Sequence, residues 1–538
     1  MKNTRSLNRV PLAVISGSLL SLAFYHWCSG VILMVALVPL LLIEHDISEK
    51  KQQQRSKRVS VIWYAVLAFA LFNILTSYWV RYAAWIGIIG AVIVNTTLMT
   101  FVFWLFHITK RRLGSRLGYA SLVIYWVAFE FLYLNGKINF PWLLLGNGFA
   151  NDIGLIQWYE VTGTLGGTAW VLVINILLFR LLLGLLHRKG IKHQRNLLSW
   201  TLGVILLPTI ISLVRFYTYE EEENPYEIVV LQPNIDPYMK FADMPQEEQT
   251  RILLRLADSL TTPGTDYIVG PETAINNNIW EHQVHMSPDI MAIREFLKSY
   301  PKAKFVLGAT TYKLYDHPSE YTKTSRPIRN GEFEYDSFNS AFQMDSTGHI
   351  PFYHKSKLVV GVEFMPFTNT LKFLENVTVR LGGVFRSNGT QAARDAFISP
   401  QDGTRVGPVI CWESVFGEYV TDYVKEAGAN FLFVITNDGW WGNTPGHRQH
   451  NSYAHLRAIE TRRSIARSAN TGISSMINQK GEEIERIGWW TRSGMRNNLN
   501  ANDHITFYVK YGDYLGRLSV FLGILLLLYT TVRRFLKR

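Results

Sequence analysis

Residues 405–413 read RVGPVICWE, a β-branched apolar run that stops on Cys411, one of only two cysteines in 538 residues. A short apolar run bounded by turn residues reads as a buried strand. The cysteine then falls at the end of the strand, with its sulfur at the sheet edge. A thiol placed there, once a base has taken its proton, attacks a carbonyl, and the resulting thioester can pass its acyl group to an amine. A buried structural cysteine is the other reading of the same feature.

The pattern around this run repeats. YEIVVLQPNI (226–235), TDYIVGPETA (265–274), KFVLGATTY (304–312), FNSAFQMD (338–345) and ANFLFVITND (429–438) also read as buried strands. QEEQTRILLRLADSLTT (246–262) and SPDIMAIREFLKSY (287–300) read as amphipathic helices between them. This alternation predicts an α/β sandwich, with helices covering mixed sheets. Glu272 ends one strand and suits a general base, because a carboxylate partly removed from water can carry a proton out and back. It reads equally as a cap. Lys355, in FYHKSKLVVGVEFMP (352–366), offers an ammonium to a tetrahedral oxyanion, with the Trp412 N–H as second donor. Glu363 and Glu413 would orient the lysine or its neighbours. Lys357 is a rival for the same role.

Outside this segment the chain is apolar. Overall it is 48% hydrophobic, and nearly uncharged runs recur near 10–28, 30–45, 60–80, 84–107, 117–134, 161–186, 196–214 and 512–532. Crossing a hydrocarbon core of roughly 30 Å takes about 17–25 such residues, so eight spans are expected. Basic clusters at Lys2–Arg9, Lys50–Arg58, Lys110–Arg116, Arg188–Arg195 and Arg533–Arg538 then all fall on one side, as the positive-inside rule requires. Both termini are expected in the cytoplasm, residues 216–508 on the outer face, and the start of the chain as an uncleaved anchor. The net charge of +12 is then topology and anionic-lipid contact, with no nucleic-acid module. Cys28 is expected alone at a span end, not in a disulfide with Cys411.

Two loops stand out. Residues 366–400 are long for a connection and carry Leu371, Phe373, Leu374, Leu381 and Phe385; a lid over a lipid site has this character, and so does a plain surface insertion. Residues 135–152 read as a re-entrant turn at the interface. His447, His450 and His455 invite a metal, but their spacing fits no common zinc pattern and the reading supplies no carboxylate or thiolate to complete a set. No metal or cofactor is expected. Arg457, Arg462, Arg463 and Arg467 are expected to pair with acidic groups inside the domain or to face lipid phosphates.

These residues carry a resemblance. Glu272 in GPETA, Lys355 and Cys411 match the Glu-Lys-Cys set of the nitrilase, or carbon–nitrogen hydrolase, superfamily. With the flanking spans, nearly the whole chain resembles bacterial apolipoprotein N-acyltransferases. The family's Y-x-K-x-x-L…E pattern falls on Tyr353, Lys355, Leu358 and Glu363, its C-x-E on Cys411 and Glu413, and its N-D-[AG]-W-[FW]-G on Asn437–Gly442. Glu130, Phe140, Pro141, Trp142 and Gly146 match its membrane pattern. The chain departs from it between Lys357 and Glu363, where LVVGV replaces the usual residues and the spacing is kept.

The resemblance implies a multi-span α-helical membrane bundle (1–215), a periplasmic nitrilase-like αββα sandwich (216–508), and a last span with a cytoplasmic tail (509–538), in the bacterial inner membrane. It implies that Cys411 takes an acyl chain from a glycerophospholipid, typically phosphatidylethanolamine, and passes it to the α-amine of a diacylglyceryl-cysteine on a lipoprotein after signal peptide removal. Glu272 would be the base, Lys355 the oxyanion donor, and Tyr353, Glu363, Trp412 and Glu413 their support. Glu130, Trp142 and Trp440 would contact substrate or lipid. A membrane-anchored amidase and a non-catalytic lipoprotein-binding protein are the alternatives.

Overall fold

The computed structural model describes residues 8–52, 60–137, 139–187, 190–328, 333–364 and 387–536. The chain forms two compact units: Met1–Val80, Ile86–Thr218 and Tyr511–Arg538 make the first, Arg81–Trp85 and Tyr219–Lys510 the second.

The first unit is a helical bundle. Seven helical stretches among the described residues are long and apolar enough to cross a membrane: Gly30–Glu49, Val61–Tyr82, Trp85–Leu113, Ser115–Leu134, Tyr159–Leu186, Lys192–Thr218 and Tyr514–Arg533. The chain is thus a multi-pass membrane protein. The first of the eight expected spans differs. Its helix, Arg9–Leu22, has 14 residues, about 21 Å at 1.5 Å per residue and short of the roughly 30 Å core. Turns over residues 23–28 end it early, and the Arg9 guanidinium pairs with Asp46 at 2.7 Å.

Several buried polar groups of the bundle pair with one another, as an apolar solvent favours. The second span breaks at Leu37, whose N–H donates to Asn175 Oδ1 at 2.8 Å, while Asn175 Nδ2 donates to Leu33 O at 2.7 Å. Lys110, read above as part of a basic cluster, turns inward onto the buried Glu44, which also meets His107 at 2.8 Å. Between the helices Ser115–Leu134 and Tyr159–Leu186 the described residues include three short 3₁₀ turns, Pro141–Leu143, Leu145–Phe149 and Ile153–Leu155. Asp152 ties them to the first hairpin, accepting from Ser29 Oγ at 2.8 Å and Gly30 N at 2.6 Å.

In the second unit the strands are β1 (Pro225–Gln232), β2 (Tyr267–Val269), β3 (Ile275–Trp280), β4 (Lys304–Tyr315), β5 (Arg326–Ile328), β6 (Phe333–Met344), β7 (Phe352–His354), β8 (Phe397–Ile398), β9 (Arg405–Ile410), β10 (Phe431–Thr436), β11 (Ser464–Ala469), β12 (Ser474–Ile477), β13 (Glu483–Ile487) and β14 (Ser493–Asn500). One sheet runs β14-β1-β2-β4-β6-β5, with β3 on β4 and β7 on β6; the other runs β13-β12-β11-β10-β9-β8. β1, β2 and β4 are mutually parallel, as are β9, β10 and β11, and these buried parallel strands are the near-continuous apolar runs of the sequence.

The sheets pack face to face: Tyr226 meets Phe431 at 5.4 Å between ring centroids, and Tyr267 meets Phe433 at 5.3 Å. Helices Gln246–Asp258 and Pro288–Ser299 cover the first sheet with Leu253, Ala257, Ile290, Ile293 and Leu297, spaced three or four residues apart on one stripe. Helices Gly417–Lys425 and Pro445–Thr461 are the corresponding pair on the second sheet. The unit is an αββα sandwich.

Candidate active site

Glu272, Lys355 and Cys411 each follow the last residues of a strand: β2, β7 and β9. After β2 the chain keeps the register of its neighbour, with Gly270 N donating to Val306 O at 2.8 Å and Gly308 N to Pro271 O at 3.0 Å. Gly308 must lack a side chain, because a Cβ there would come within 2.5 Å of Thr273 N and 2.7 Å of Glu272 Cα. Thr273, at φ +48°, then turns the backbone sharply and leaves Glu272 buried at the strand end. Lys355 N donates to Asn339 O at 2.8 Å, which extends the β6–β7 pairing by one residue.

The Lys355 ammonium lies 3.0 Å from Glu272 Oε1 and 3.0 Å from Glu363 Oε1. The same two oxygens accept from Asn339 Nδ2, at 2.7 and 2.8 Å. Burial works against the lysine's charge, but Glu272 and then Glu363 hold its pKa well above the ordinary value. Lys357 points elsewhere, its Nζ 5.0 Å from the Phe416 ring centroid. Burial pushes the Cys411 thiol well above its ordinary range; Glu272 adds to this and Lys355 opposes it. A thiol in this state needs a base at the moment of attack.

Cys411 opens a 3₁₀ turn, Cys411–Val415, at φ +49°. Glu413 fixes that turn from the interior. Its Oε1 accepts from Tyr353 OH at 3.0 Å, Tyr419 OH at 2.5 Å and Ser356 N at 2.7 Å. Its Oε2 accepts from Ile410 N at 2.9 Å and Tyr423 OH at 3.1 Å. One carboxylate therefore ties the residue before the cysteine to the segment that follows Lys355. Trp412 is buried beside Phe416, with ring centroids 6.4 Å apart.

The three histidines separate. His447 stacks on Trp489 at 4.2 Å and His455 faces Glu483 at 3.4 Å. His450 joins Cys411 and Asp438, with ligand-type atoms of all three within 4.8 Å of one another. This corrects the expectation that no carboxylate or thiolate completes a set with the histidines: β10 and helix Pro445–Thr461 bring together residues far apart in sequence. The group already holds a fixed cation, since Arg467 Nη2 lies 2.7 Å from Asp438 Oδ2, while Oδ1 accepts from Thr436 Oγ1 at 2.7 Å. Arg457, Arg462 and Arg463 are buried as well. Arg457 pairs with Glu460 at 2.9 Å, whereas Arg462 and Arg463 donate to the carbonyls of Gln479 and Ala429 at 3.0 and 2.7 Å. None of the four is a surface site for phosphate.

The resemblance to a Cys-His-Asp triad ends at the imidazole. His450 Nε2 lies 3.1 Å from the Cys411 carbonyl oxygen and 3.0 Å from Ser414 Oγ, so the ring is turned to the main chain of Cys411; that carbonyl only accepts, and it takes a hydrogen from Nε2 in the tautomer that carries one there. Nδ1 faces Asp438 Oδ1 at 2.9 Å.

Lys240 went unnoticed in the sequence. It is buried, and its Nζ donates to Glu272 O at 3.2 Å and Thr273 Oγ1 at 3.1 Å. Burial lowers its pKa to about 7, against the pull of Glu272. Trp440 packs with Tyr238 and Phe241, at centroid distances of 5.3 and 5.9 Å. In the bundle, Glu130 is buried and accepts from Trp126 Nε1, Leu145 N and Thr168 Oγ1 at 3.1, 3.0 and 2.6 Å; Trp142 is fully buried against Trp79 at 4.8 Å. Of residues 366–400, those before 387 lie outside the described residues, including Leu371, Phe373, Leu374, Leu381 and Phe385. Both cysteines are free.

A two-sheet sandwich in a chain with seven membrane-length apolar helices among the described residues, matched by the carbon–nitrogen hydrolase model, defines a membrane-embedded protein of that class. Residues 230–497 match the carbon-nitrogen hydrolase family model, and residues 16–177 match the model of the apolipoprotein N-acyltransferase N-terminal domain. The chain belongs to the apolipoprotein N-acyltransferase family. It is 28% identical to the apolipoprotein N-acyltransferase of Chlorobaculum tepidum over 97% of this chain and 96% of that one. The corresponding protein of Geobacter metallireducens is 27% identical over 93% and 91%, and that of Thermotoga maritima 24% identical over 98% and 95%.

Proposed function

We propose that this protein moves an acyl chain from a glycerophospholipid such as phosphatidylethanolamine, through a thioester on Cys411, to the α-amine of a lipoprotein's N-terminal diacylglyceryl-cysteine. The observation that carries the reading is the junction of Glu272 and Lys355 at 3.0 Å, with both charges acting on the Cys411 thiol. Glu272 takes the thiol proton as Sγ attacks the ester carbonyl. Lys355 and the Trp412 N–H hold the oxyanion, and collapse breaks the ester C–O bond, with the lysophospholipid leaving on the proton held by Glu272. The amine then attacks the thioester carbonyl, Glu272 takes its proton, the C–S bond breaks as the amide forms, and Glu272 returns that proton to the Cys411 sulfur. Glu363 holds Lys355, and Glu413 with Tyr353 holds the turn that carries Cys411.

Both substrates are lipid-anchored, which accounts for a catalytic domain tethered to spans. In this reading residues 216–508 lie in the periplasm of a cell with its bundle, 1–215, and last span, 509–538, in the inner membrane; the basic clusters support that orientation. Trp440, Glu130 and Trp142 are read as contributors to substrate or lipid contact. The test is intact mass spectrometry of the purified protein with phosphatidylethanolamine. A hydroxylamine-labile acyl adduct on the native chain and none on Cys411→Ala is expected; an undiminished adduct on the variant refutes the mechanism.

A further inference from the structure

Cys411 has φ +49°, a left-handed conformation that a residue with a Cβ adopts only when its surroundings impose it. Two donors converge on its carbonyl oxygen from beneath the sheet end: Ser414 Oγ at 2.7 Å and His450 Nε2 at 3.1 Å. Ser414 Oγ and His450 Nε2 also lie 3.0 Å apart, so the hydroxyl and the ring share one acceptor. Behind the ring, Nδ1 is 2.9 Å from Asp438 Oδ1 and 3.1 Å from Arg467 Nη2, and Arg467 Nη2 is 2.7 Å from Asp438 Oδ2. Histidine, aspartate and arginine are all buried. Gly472 leaves the room for them, because a Cβ there would lie 2.6 Å from Asp438 Oδ2. The chain Arg467–Asp438–His450 ends on the main chain of Cys411, a direction of hydrogen bonding that general-base catalysis by His450 does not require and a fixed nucleophile does.

We propose that His450 is a positioning residue for the nucleophile: its Nε2–H, donated to the Cys411 carbonyl, holds Cys411 in the left-handed conformation, and Asp438 and Arg467 hold the imidazole in the orientation this needs. The inference rests on the reading of Cys411 as the acyl acceptor. It predicts that His450 acts on the rate of attack and not on the hold on the lipid donor.

The experiment uses the full-length protein in detergent with phosphatidylethanolamine, following thioester formation in single turnovers. His450→Ala is expected to lower the rate at saturating donor about 100-fold, the scale of a misplaced reacting group, with the half-saturating donor concentration within about two-fold. His450→Gln, whose amide N–H can reach the same carbonyl, is expected to recover about ten-fold of the loss. A wild-type rate in His450→Ala, a loss confined to donor affinity, or a glutamine variant no better than alanine overturns the proposal. Should His450→Ala not fold, Asp438→Asn keeps the ring and weakens the hold on its orientation. A fall of about ten-fold at saturating donor is then expected, with the half-saturating concentration unchanged, and a wild-type rate overturns the proposal. Absence of thioester on the native chain is a failure of the acyl-transfer reading instead. In that case iodoacetamide alkylation of Cys411 still reports the hold: its rate is expected to differ between the native chain and these variants, and equal rates overturn the proposal.

Discussion

Asn339 and Lys355 bind the same two oxygens. Each nitrogen meets Glu272 Oε1 and Glu363 Oε1, so that two carboxylate oxygens and two nitrogens close a four-cornered ring with sides of 2.7, 2.8, 3.0 and 3.0 Å. One cation serves two carboxylates there, and the amide supplies the hydrogen bonds that a second cation would otherwise give. Asn339→Leu should therefore lower the single-turnover rate of thioester formation about 10- to 100-fold, through a misplaced base and lysine. Asn339→Asp, which adds a third carboxylate, should lower it further. Native rates in both variants refute the ring's role.

Glu272 and the Cys411 thiol yield a prediction in which reactivity and activity part. Burial is the main cause of the raised thiol pKa and Glu272 the next, so Glu272→Gln lowers that pKa while removing the base. In a Cys28→Ser background, iodoacetamide alkylation at pH 8 should become faster in Glu272→Gln and acyl transfer should be lost. Lys355 opposes the shift, so Lys355→Met should slow alkylation. Slower alkylation of Glu272→Gln contradicts the electrostatic account.

Lys240 makes stability depend on pH. Unfolded, it titrates near 10.4; folded, at about 7, because burial disfavours its charge. Between these values the unfolded chain binds more protons, so the contribution of this group to stability rises with pH across that window and is lost as pH falls through 7. The melting temperature of Lys240→Met minus that of the native protein should be larger at pH 6 than at pH 9.5. A difference that grows with pH refutes the assignment.

Glu413 is a structural prediction. Alanine there removes the acceptor of the Tyr353, Tyr419 and Tyr423 hydroxyls and of the Ser356 and Ile410 amides in a buried site, and leaves Tyr353 and Tyr419 only each other at 2.6 Å. At about 1–3 kcal/mol for each donor left unsatisfied, with partial rescue by water, Glu413→Ala should cost about 3–5 kcal/mol. Glu413→Gln, which keeps an acceptor oxygen, should cost less. Thermal unfolding in detergent measures both, and a melting temperature unchanged by alanine refutes the cage.

The strands around Glu272, Lys355 and Cys411 were legible because parallel buried strands are continuous apolar runs, and the amphipathic helices because their apolar stripe recurs every three or four residues. Seven spans were legible from length and hydropathy. Arg9–Leu22 was not, since hydropathy does not register that turns end the helix at residue 22. Asn339, Tyr419, Tyr423 and Lys240 escaped notice for a different reason. Their partners lie on other strands and helices, and no spacing along the chain encodes a meeting of β6 with the end of β2. His450 was seen and left without a role, because spacing was compared with other histidines when its partners were the carbonyl of Cys411 and a carboxylate on the β10 end.

The tie from Asp152 to Ser29 and Gly30 also sets a schedule. Gly30 precedes Asp152 by 122 residues, which a ribosome working at roughly 5–20 residues per second takes about 6–24 s to add. Asn175, which bridges the break at Leu37, comes later still. The first hairpin thus reaches the bilayer well before the side chains that complete it. A nascent chain shorter than 152 residues lacks the carboxylate that ties Ser29 and Gly30, and one shorter than 175 lacks the amide that bridges the break at Leu37.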